Sequence, residues 1–470
     1  MKNQKTDKAQ LFATGNTFSI IIKFSIPTII GMLVNALYVV VDRIFVGNIP
    51  GREGELCIAA ITVSSPVTVI IFAIAMLAGA GGGANISLCL GRREKSKAER
   101  YVGNGMVLGA SLSLLAAVLG LILSKPILVA FGASSEVLPY AMTYLNISLI
   151  GSVFNTTGFC LNRYMLAQGF STLSMRTNII GVILNTLLTP LFIFVFGMGI
   201  AGAAIGTILA QFASFAWTLY CFTSHKVHLN LRRRYLRPHL KTMVETMKLG
   251  LSPAALQLAI SLVQIITNNQ LKTYGGDPAI SAMGVVASVS QLLMMPAYGI
   301  NQGVQPIIGF NYGARLYHRV KKLLLQAILL ATGVVFSLWL IVMIFTGPIV
   351  SLFGSHSVNL MNEAPKAIRY FLLATPLVGF QVVSATYFMS VGKPKQALVL
   401  NLSRQVLILI PTILILPMFF QLQGVYASGA VADFLSTLLT AAFLWVEIRH
   451  LNRSHQETRT ESEPSVISMD

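Results

Sequence analysis

Asp42 is the acidic side chain with the most consequential placement in this chain. It lies near the end of a long apolar segment that Pro27 interrupts close to its start. An ionisable side chain at such depth in hydrocarbon costs roughly 2.5–3.5 kcal/mol on insertion scales. Chains keep such groups to bind a cation, to move a proton or to hold a structural ion pair. The first two roles indicate transport, and the third would pair Asp42 with Arg43.

A buried carboxyl group can couple two fluxes. Desolvation penalises its charged form, so an acid in a low dielectric can take up and release a proton near neutral pH. An organic cation would compete for the same carboxylate, and competition alone links entry of a small cation to exit of a large one. The ion pair with Arg43 is the less favoured reading, because adjacent residues on a helix do not face each other.

Amide side chains recur at helical spacing in both halves of the chain. Asn35 lies seven residues before Asp42 and so shares its helix face, and Tyr38 roughly does so too. Amides can bind a substrate, and they can also hold membrane helices together; both readings stay open. The same kinds of stripe occur at Asn178 and Asn185, and at Gln257, Gln264 and Asn268.

Two further sets of residues lie within apolar segments. Met294, Met295 and Tyr298 are candidates for an adaptable apolar wall that accepts varied compounds. Asp433, the other clearly intramembrane acid, lies in the last apolar segment and is expected to be a helix–helix partner. Apart from Arg43 near the end of a segment, no Arg or Lys is expected deep within the membrane.

The composition requires lipid as the solvent. Of 470 residues, 54% are hydrophobic and only 11% are charged, against about 25% charged in soluble domains. Mean hydropathy is +0.71. A spanning helix needs about 20 apolar residues. Twelve such segments are predicted, at 18–46, 57–90, 102–123, 138–162, 177–196, 199–222, 246–271, 279–311, 320–345, 366–391, 396–420 and 424–448.

The basic residues predict the orientation. With the amino terminus inside, 28 of the 34 Lys and Arg fall in or beside predicted inside segments and 6 in outside ones. Because inside loops of membrane proteins are enriched in Lys and Arg, both termini are expected in the cytoplasm. The net charge of +18 is therefore a topological signal, and nucleic-acid binding is rejected. Membrane lipid is the expected surrounding partner.

The two halves of the chain resemble each other. Gly313 follows Gly91 by 222 residues, and Pro253 follows Pro27 by 226. Six spans in each half make the repeats parallel, as in transporters whose two bundles rock about a central site. The predicted organisation is an amino-terminal segment 1–17, a six-helix lobe 18–222, a cytoplasmic linker 223–245, a six-helix lobe 246–448 and a disordered cytoplasmic tail 449–470.

Several motifs together resemble the MATE (multidrug and toxic compound extrusion) family, nearest its MepA/DinF-like bacterial branch, over residues 18–448. The motifs are the first helix from Pro27 to Asp42, the Gly91-Arg92-Arg93 loop, the turn at Gly169, the segment Asn185–Pro190, the run Gly199–Ala204 and the second-half run Gly309–Ala314. The resemblance implies an all-α membrane fold of the MOP superfamily, with twelve helices in two six-helix bundles.

The resemblance also implies a function and a site. Family members export drugs and organic cations in exchange for H+ or Na+, and in several the first helix bends at a proline when a nearby acid is protonated. Asp42 would be the coupling carboxylate and Pro27 the hinge. The cavity residues expected from the resemblance and the stripes together are Asn35, Tyr38, Asp42, Asn162, Asn178, Asn185, Thr189, Thr207, Gln257, Gln264, Asn268, Met294 and Tyr298.

The chain departs from the family pattern at two positions. Thr189 stands where many relatives carry Asp, and Ser261 lies where another branch carries an acid. Asp42 is therefore expected to act nearly alone. A single acid favours H+ over Na+ as the coupling ion.

Other functions are less consistent with the sequence. A flippase for lipid-linked precursors or polysaccharides, of the same superfamily, is the alternative and would need a cationic cavity. A membrane enzyme would need a cluster of His and acids at one face, and every His falls in a loop or tail. We expect no enzyme activity, metal or cofactor beyond the coupling ion, and a monomer in the bacterial cytoplasmic (inner) membrane that exports small organic cations.

Overall fold

The computed structural model describes residues 10–50, 52–224, 226–354 and 358–462. Every regular element in these ranges is helical. The long helices overlap the predicted spans and are consistent with them. Their bounds are α1 Thr17–Gly47, α2 Arg52–Gly91, α3 Lys95–Ile122, α4 Leu138–Ala167, α5 Ser171–Pro190, α6 Gly199–Thr223, α7 Leu240–Gly276, α8 Pro278–Gly313, α9 Tyr317–Ile344, α10 Val358–Phe371 with Pro376–Ser390, α11 394–420 and α12 422–462.

Length and apolarity alone identify nine candidate membrane-spanning helices in the described ranges, or ten with one bent pair. The bent pair is α10, which turns by 50° between Phe371 and Pro376. By this criterion the run Pro394–Gln456 is counted as one helix. It nevertheless contains a non-helical residue, Gln421, with φ 50°. Gln421 separates α11 from α12, as Gly276 (φ 64°) separates α7 from α8. The all-α membrane fold is thereby confirmed.

The internal repeat is visible in the backbone. Arg93 and Arg315 are both left-handed, at φ 62° and 59°, which is uncommon for a residue other than glycine. Each lies just after the end of a helix, α2 in the first half and α8 in the second. Gly169 and Gly392 match in the same way, at φ 81° and 80°. The predicted sequence repeat is therefore also a repeat of turn geometry.

Contacts divide the chain into two compact units. One contains residues 1–23, 87–94 and 266–470, and the other contains residues 24–86 and 95–265. Each unit thus includes residues from both predicted repeats. The predicted lobe boundaries at 222 and 246 remain a prediction about the repeats, and they differ from these units.

Small residues let α2 and α7 approach closely in the second unit. A methyl group at Gly250 would lie 1.8 Å from the carbonyl oxygen of Leu77, and one at Gly81 would lie 2.1 Å from that of Thr246. No real side chain tolerates such distances. Close backbone approach through small residues is the usual means of packing membrane helices, because hydrocarbon offers no hydrophobic drive between them.

The amino-terminal segment is held by the second repeat. Arg319 Nε donates to the carbonyl oxygen of Phe12 at 2.9 Å, and its NH2 group also donates to that of Gly15. Asn311 Nδ2 donates to Phe12 at 3.1 Å. The ring of Phe12 packs edge-on against Phe310 at 5.6 Å. We call these contacts of the first unit the amino-terminal clasp.

The linker before α7 is held by the first repeat in a comparable way. Asn104 Nδ2 donates to the carbonyl oxygen of Tyr235 at 2.8 Å, and its Oδ1 accepts from the backbone of His239 at 2.6 Å. Buried Glu99 forms an ion pair with Arg232 at 2.9 Å. We call these contacts of the second unit the linker clasp. In each clasp, polar side chains of one repeat hold the segment that enters the first helix of the other.

The last helix is longer than predicted. The sequence predicted a span ending at 448 and a disordered tail from 449, whereas α12 runs on to Ser462. Arg, Glu and Gln are good helix formers, so polarity alone does not end the helix. Lys321 also donates to Asn452 at 3.1 Å. Residues 463–470 of the predicted tail lie outside the described ranges.

Gly250→Leu should destabilise the protein far more than Gly284→Leu. Both glycines are helical, but a methyl group at Gly284 meets nothing within 4 Å. Overpacking a tight contact costs about 1–3 kcal/mol or more, whereas the gain in helix propensity is the same at both positions. Thermal unfolding in detergent should give a Tm lower by several degrees for Gly250→Leu only. Equal shifts for the two variants would contradict the close packing of α2 and α7.

Candidate functional site

Asp42 is half-buried on α1, fifteen residues after Pro27, which lies inside the same helix. The Thr189 hydroxyl on α5 donates to Asp42 Oδ1 at 3.4 Å. Thr189 itself is fully buried. It directly precedes Pro190, after which α5 continues as a π-helical turn, Leu191–Val195. The residue that replaces the expected family acid thus serves as a hydrogen-bond donor to the remaining acid.

A second pair of polar side chains lies next to Asp42. Asn185, one helical turn before Thr189, also interacts with the Asp42 carboxyl group. Asn185 Nδ2 donates to the Thr207 hydroxyl on α6 at 3.0 Å. A glycine makes this approach of α6 feasible, because a methyl group at Gly206 would lie 3.0 Å from Thr189.

A third pair joins α4 and α5. Asn162 Nδ2 donates to Asn178 Oδ1 at 3.0 Å. Asn178 also lies against α1, where a methyl group at Gly31 would be 3.0 Å from its Nδ2. These amides therefore bring α1, α4 and α5 together. The structure thus shows helix contact for these amides, and cavity lining stays a prediction.

Unsatisfied acceptors distinguish this cluster from a closed structural network. Among the described residues, Asn162 Oδ1 and Asn185 Oδ1 are buried and have no hydrogen-bond partner. Leaving a buried acceptor unpaired costs about 1–3 kcal/mol. Asn185, whose side chain interacts with Asp42, and the Asp42 carboxylate together form an acceptor-rich patch of negative potential. Such a patch suits a proton, a small cation or a cationic substrate.

The ion-pair reading of Asp42 is not supported. Arg43 is exposed, and none of the ion pairs among the described residues joins it to Asp42. The sequence missed a different neighbour, Tyr144 on α4, which interacts electrostatically with Asp42 and hydrogen-bonds Ser148. No spacing pattern relates a residue on α4 to one on α1, so only the fold identifies this contact.

The remaining predicted cavity residues differ in their exposure. Asn35, Gln264 and Asn268 are exposed, Gln257 is half-buried and Met294 is buried. The side chain of Tyr38 lies outside the described part of the structure. Tyr298 is 40% exposed. Within the described ranges, the hydrogen-bonded part of the predicted site is thus confined to the first half of the chain.

The structure corrects one expectation about charge. Arg404 was counted with the inside loops, and no Arg or Lys other than Arg43 was expected deep within a span. Arg404 instead lies well inside α11, and its Nε contacts Asp433 Oδ1 on α12 at 2.6 Å. The error arose because the sequence-based count assigned residues near a span boundary to the loop. Asp433 is the predicted helix–helix partner, and Arg404 is the residue it pairs with.

No group of three or more His, Cys, Asp or Glu able to hold a metal occurs within the described ranges. The four cysteines are free and buried. The polar cluster around Asp42 consists of one carboxylate, amides and hydroxyls.

Known proteins resemble this chain in sequence and in fold. "Multidrug export protein MepA" from Staphylococcus aureus (strain MSSA476) is 25% identical over 443 residues, or 94% of this chain and 96% of that protein. A MOP superfamily transporter from Pyrococcus furiosus, described as having a binding pocket of reverse polarity, superposes with a TM-score of 0.88. It is 23% identical and covers 94% of this chain and 98% of its own.

An outward-facing multidrug resistance MATE transporter of the MOP superfamily gives the same TM-score, 0.88, at 23% identity, and covers 94% of this chain and 98% of its own. At this identity the structures establish the fold. The family profile named MatE matches twice, over residues 27–191 and 253–415. The two matches fall on the two repeats and together cover more than half of the chain. The chain therefore belongs to the MatE family.

Proposed function

We propose that this protein exports bulky organic cations in exchange for a small cation, with Asp42 as the shared carboxylate. The observation that carries the proposal is a half-buried acid that accepts a hydroxyl donor and lies beside Asn185, whose amide oxygen is unpaired. No ion pair among the described residues joins this acid to a basic side chain. Such a group binds a proton or a cation in turn. The similarity to proteins named for multidrug export supports the same substrate class.

We favour H+ over Na+ as the coupling ion. Among the described residues no acidic side chain pairs with Asp42 or perturbs it, so a single proton neutralises the site completely. Loss of the charge would release a bound organic cation. Helix α1 contains Pro27, which removes a backbone hydrogen bond. It could therefore bend when protonation changes the contact of Asp42 with Thr189.

Alternating access is supported by the two clasps. Each ties the entrance of one repeat to the other repeat, on the side predicted to face the cytoplasm. Opening that side would require the amino-terminal clasp and the linker clasp to separate. The parallel repeats supply the two bundles that such a cycle needs. We place the protein in the bacterial cytoplasmic membrane as a monomer, with both termini inside.

A flippase for lipid-linked precursors is the alternative, and it would need a cationic cavity. Arg404 is a cation well inside a described span, but Asp433 neutralises it. The acceptor-rich cluster around Asp42 has the opposite polarity. Export of cations therefore accounts for more of the observed site.

Asp42→Asn should abolish drug resistance while leaving expression unchanged. The amide keeps the size and polarity of the side chain but cannot exchange a proton or attract a cation. Minimum inhibitory concentrations in a pump-deficient host should fall to the level of the empty vector. Glu55→Gln, which changes an exposed acid at the start of α2, is the matched control and should retain full resistance. Undiminished resistance in Asp42→Asn would refute the mechanism.

Transport by reconstituted vesicles should separate the two coupling ions. Vesicles that are acidic inside should accumulate a fluorescent organic cation, because H+ leaving in exchange drives it inward. A Na+ gradient of the same size at constant pH should drive little uptake. Asp42→Asn vesicles should respond to neither gradient. Uptake driven by Na+ alone would overturn the choice of ion but not the role of the carboxylate.

Cross-linking the amino-terminal clasp should stop transport. Cysteines at positions 12 and 310, introduced where the rings lie 5.6 Å apart, can be bridged by a short cleavable reagent. Bridging should block export, and cleavage should restore it. The native cysteines are buried, so the wild-type protein treated with the same reagent is the control. Full transport by the bridged protein would show that this clasp stays closed throughout the cycle.

A further inference from the structure

The ion pair of Arg404 and Asp433 lies deep within the membrane region of the first unit. Arg404 is ten residues after the start of α11 at Pro394, which corresponds to about 15 Å along a helix. Asp433 is twelve residues after the break at Gln421. Both charges therefore lie near the middle of their spans. Ionisable residues at this depth face a bundle interior or a water-filled cavity and are usually functional.

The two partners are enclosed to very different degrees. The Asp433 side chain is 2% exposed, whereas that of Arg404 is 22% exposed. Arg404 uses Nε for its contact with Asp433. Neither terminal nitrogen of its guanidinium has a described acceptor, and neither is among the enclosed atoms that lack a partner. The fork of terminal N–H groups is thus accessible.

This geometry differs from that of a purely structural ion pair. A guanidinium and a carboxylate stabilise each other best through two parallel N–H···O bonds, and a buried pair gains most when its remaining donors are also satisfied. Here Asp433 accepts a hydrogen bond from Arg404 Nε and offsets the charge of the guanidinium. The donors that remain are those with the geometry to bind a second oxyanion.

Tyr298 extends the accessible surface of this pair. It lies on α8, is 40% exposed, and interacts electrostatically with both Arg404 and Asp433. Arg404 itself lies in a π-helical stretch, Ser403–Leu409. Such stretches are rare and occur frequently at functional sites. An aromatic face with a hydroxyl donor beside an open guanidinium suits an aromatic compound that carries an acidic substituent.

The first repeat has no counterpart of this arginine. Asn178 aligns with Asn401, and at the same spacing of 223 residues Arg404 aligns with Gly181. The two sequence repeats therefore carry opposite charges within their membrane-spanning helices. The first keeps an acid with open acceptors, and the second keeps a base with open donors.

We propose that the terminal N–H groups of Arg404, with the Tyr298 hydroxyl, bind the carboxylate or sulfonate of amphiphilic aromatic substrates. This rests on the proposed export function and extends its substrates from simple cations to compounds that also carry an oxyanion. A lipid headgroup does not occupy this depth, so the oxyanion comes from the exported compound. The assignment makes Arg404 a specificity-determining residue.

The test compares two dyes that differ in one group, rhodamine 6G, which is an ethyl ester, and rhodamine 19, its free acid. Arg404→Gln should slow export of the acid about tenfold and leave export of the ester within about twofold. Arg404→Gln leaves the buried Asp433 carboxylate without its ion-pair partner. The double variant Arg404→Gln/Asp433→Asn is therefore the decisive one. It removes both charges and should show the same selective loss.

Two further variants refine the result. Arg404→Lys keeps the charge without the planar fork and should restore part of the acid export. Tyr298→Phe should slow export of the acid selectively, by a smaller factor than Arg404→Gln does. Export of the acid at the wild-type rate by a well-folded double variant would overturn the inference, and so would equal losses for both dyes.

Binding to the purified protein separates this inference from the proposed function. Fluorescence polarisation should give a larger ratio of acid affinity to ester affinity for the wild type than for the double variant. A wild type that exports neither dye would refute the export proposal, yet the binding ratio would still decide the role of Arg404. An unchanged ratio in the double variant would refute that role.

Discussion

The absence of water in the hydrocarbon of a membrane is the constraint on which this structure depends. Each charge within a span must be paired, neutralised or opened to a cavity. Asp42 accepts a hydrogen bond from the Thr189 hydroxyl and lies beside the Asn185 amide. Arg404 instead forms an ion pair with the Asp433 carboxylate. Neither arrangement satisfies every polar atom. The atoms left over are acceptors around Asp42 and donors on Arg404.

The same constraint explains how the helices pack. With no hydrophobic drive between helices in lipid, close van der Waals contact must hold them together. Glycines at 81 and 250 bring α2 against α7, and Gly206 brings α6 against Thr189. The second contact helps to set the position of the Thr189 hydroxyl that donates to Asp42. Packing and site geometry are thus set by the same small residues.

Most of the architecture was predictable because apolar length, basic loops and internal repetition are one-dimensional signals. They predicted an all-α membrane fold, which the structure confirms, and the repeat reappears in the matched φ angles of Arg93 and Arg315. The role of Asp42 stays a prediction. The interaction of Tyr144 on α4 with Asp42 on α1 could not be predicted, because no spacing pattern relates residues on two distant helices. Arg404 was misplaced since boundaries read from hydropathy are uncertain by several residues. The polar tail residues were expected to be disordered, although their types favour a helix.

Helix irregularity explains why side-chain direction was the least predictable property of both sites. The α5 helix becomes π-helical directly after Thr189-Pro190, and α11 is π-helical from Ser403 to Leu409. A π-helical turn takes an extra residue, so the 3.6-residue periodicity no longer gives the face on which a side chain lies. Thr189 and Arg404 therefore lie beside or within stretches where helical periodicity does not predict the direction of a side chain. In a duplicated scaffold, such local shifts let two similar halves present an open acid in one and an open base in the other.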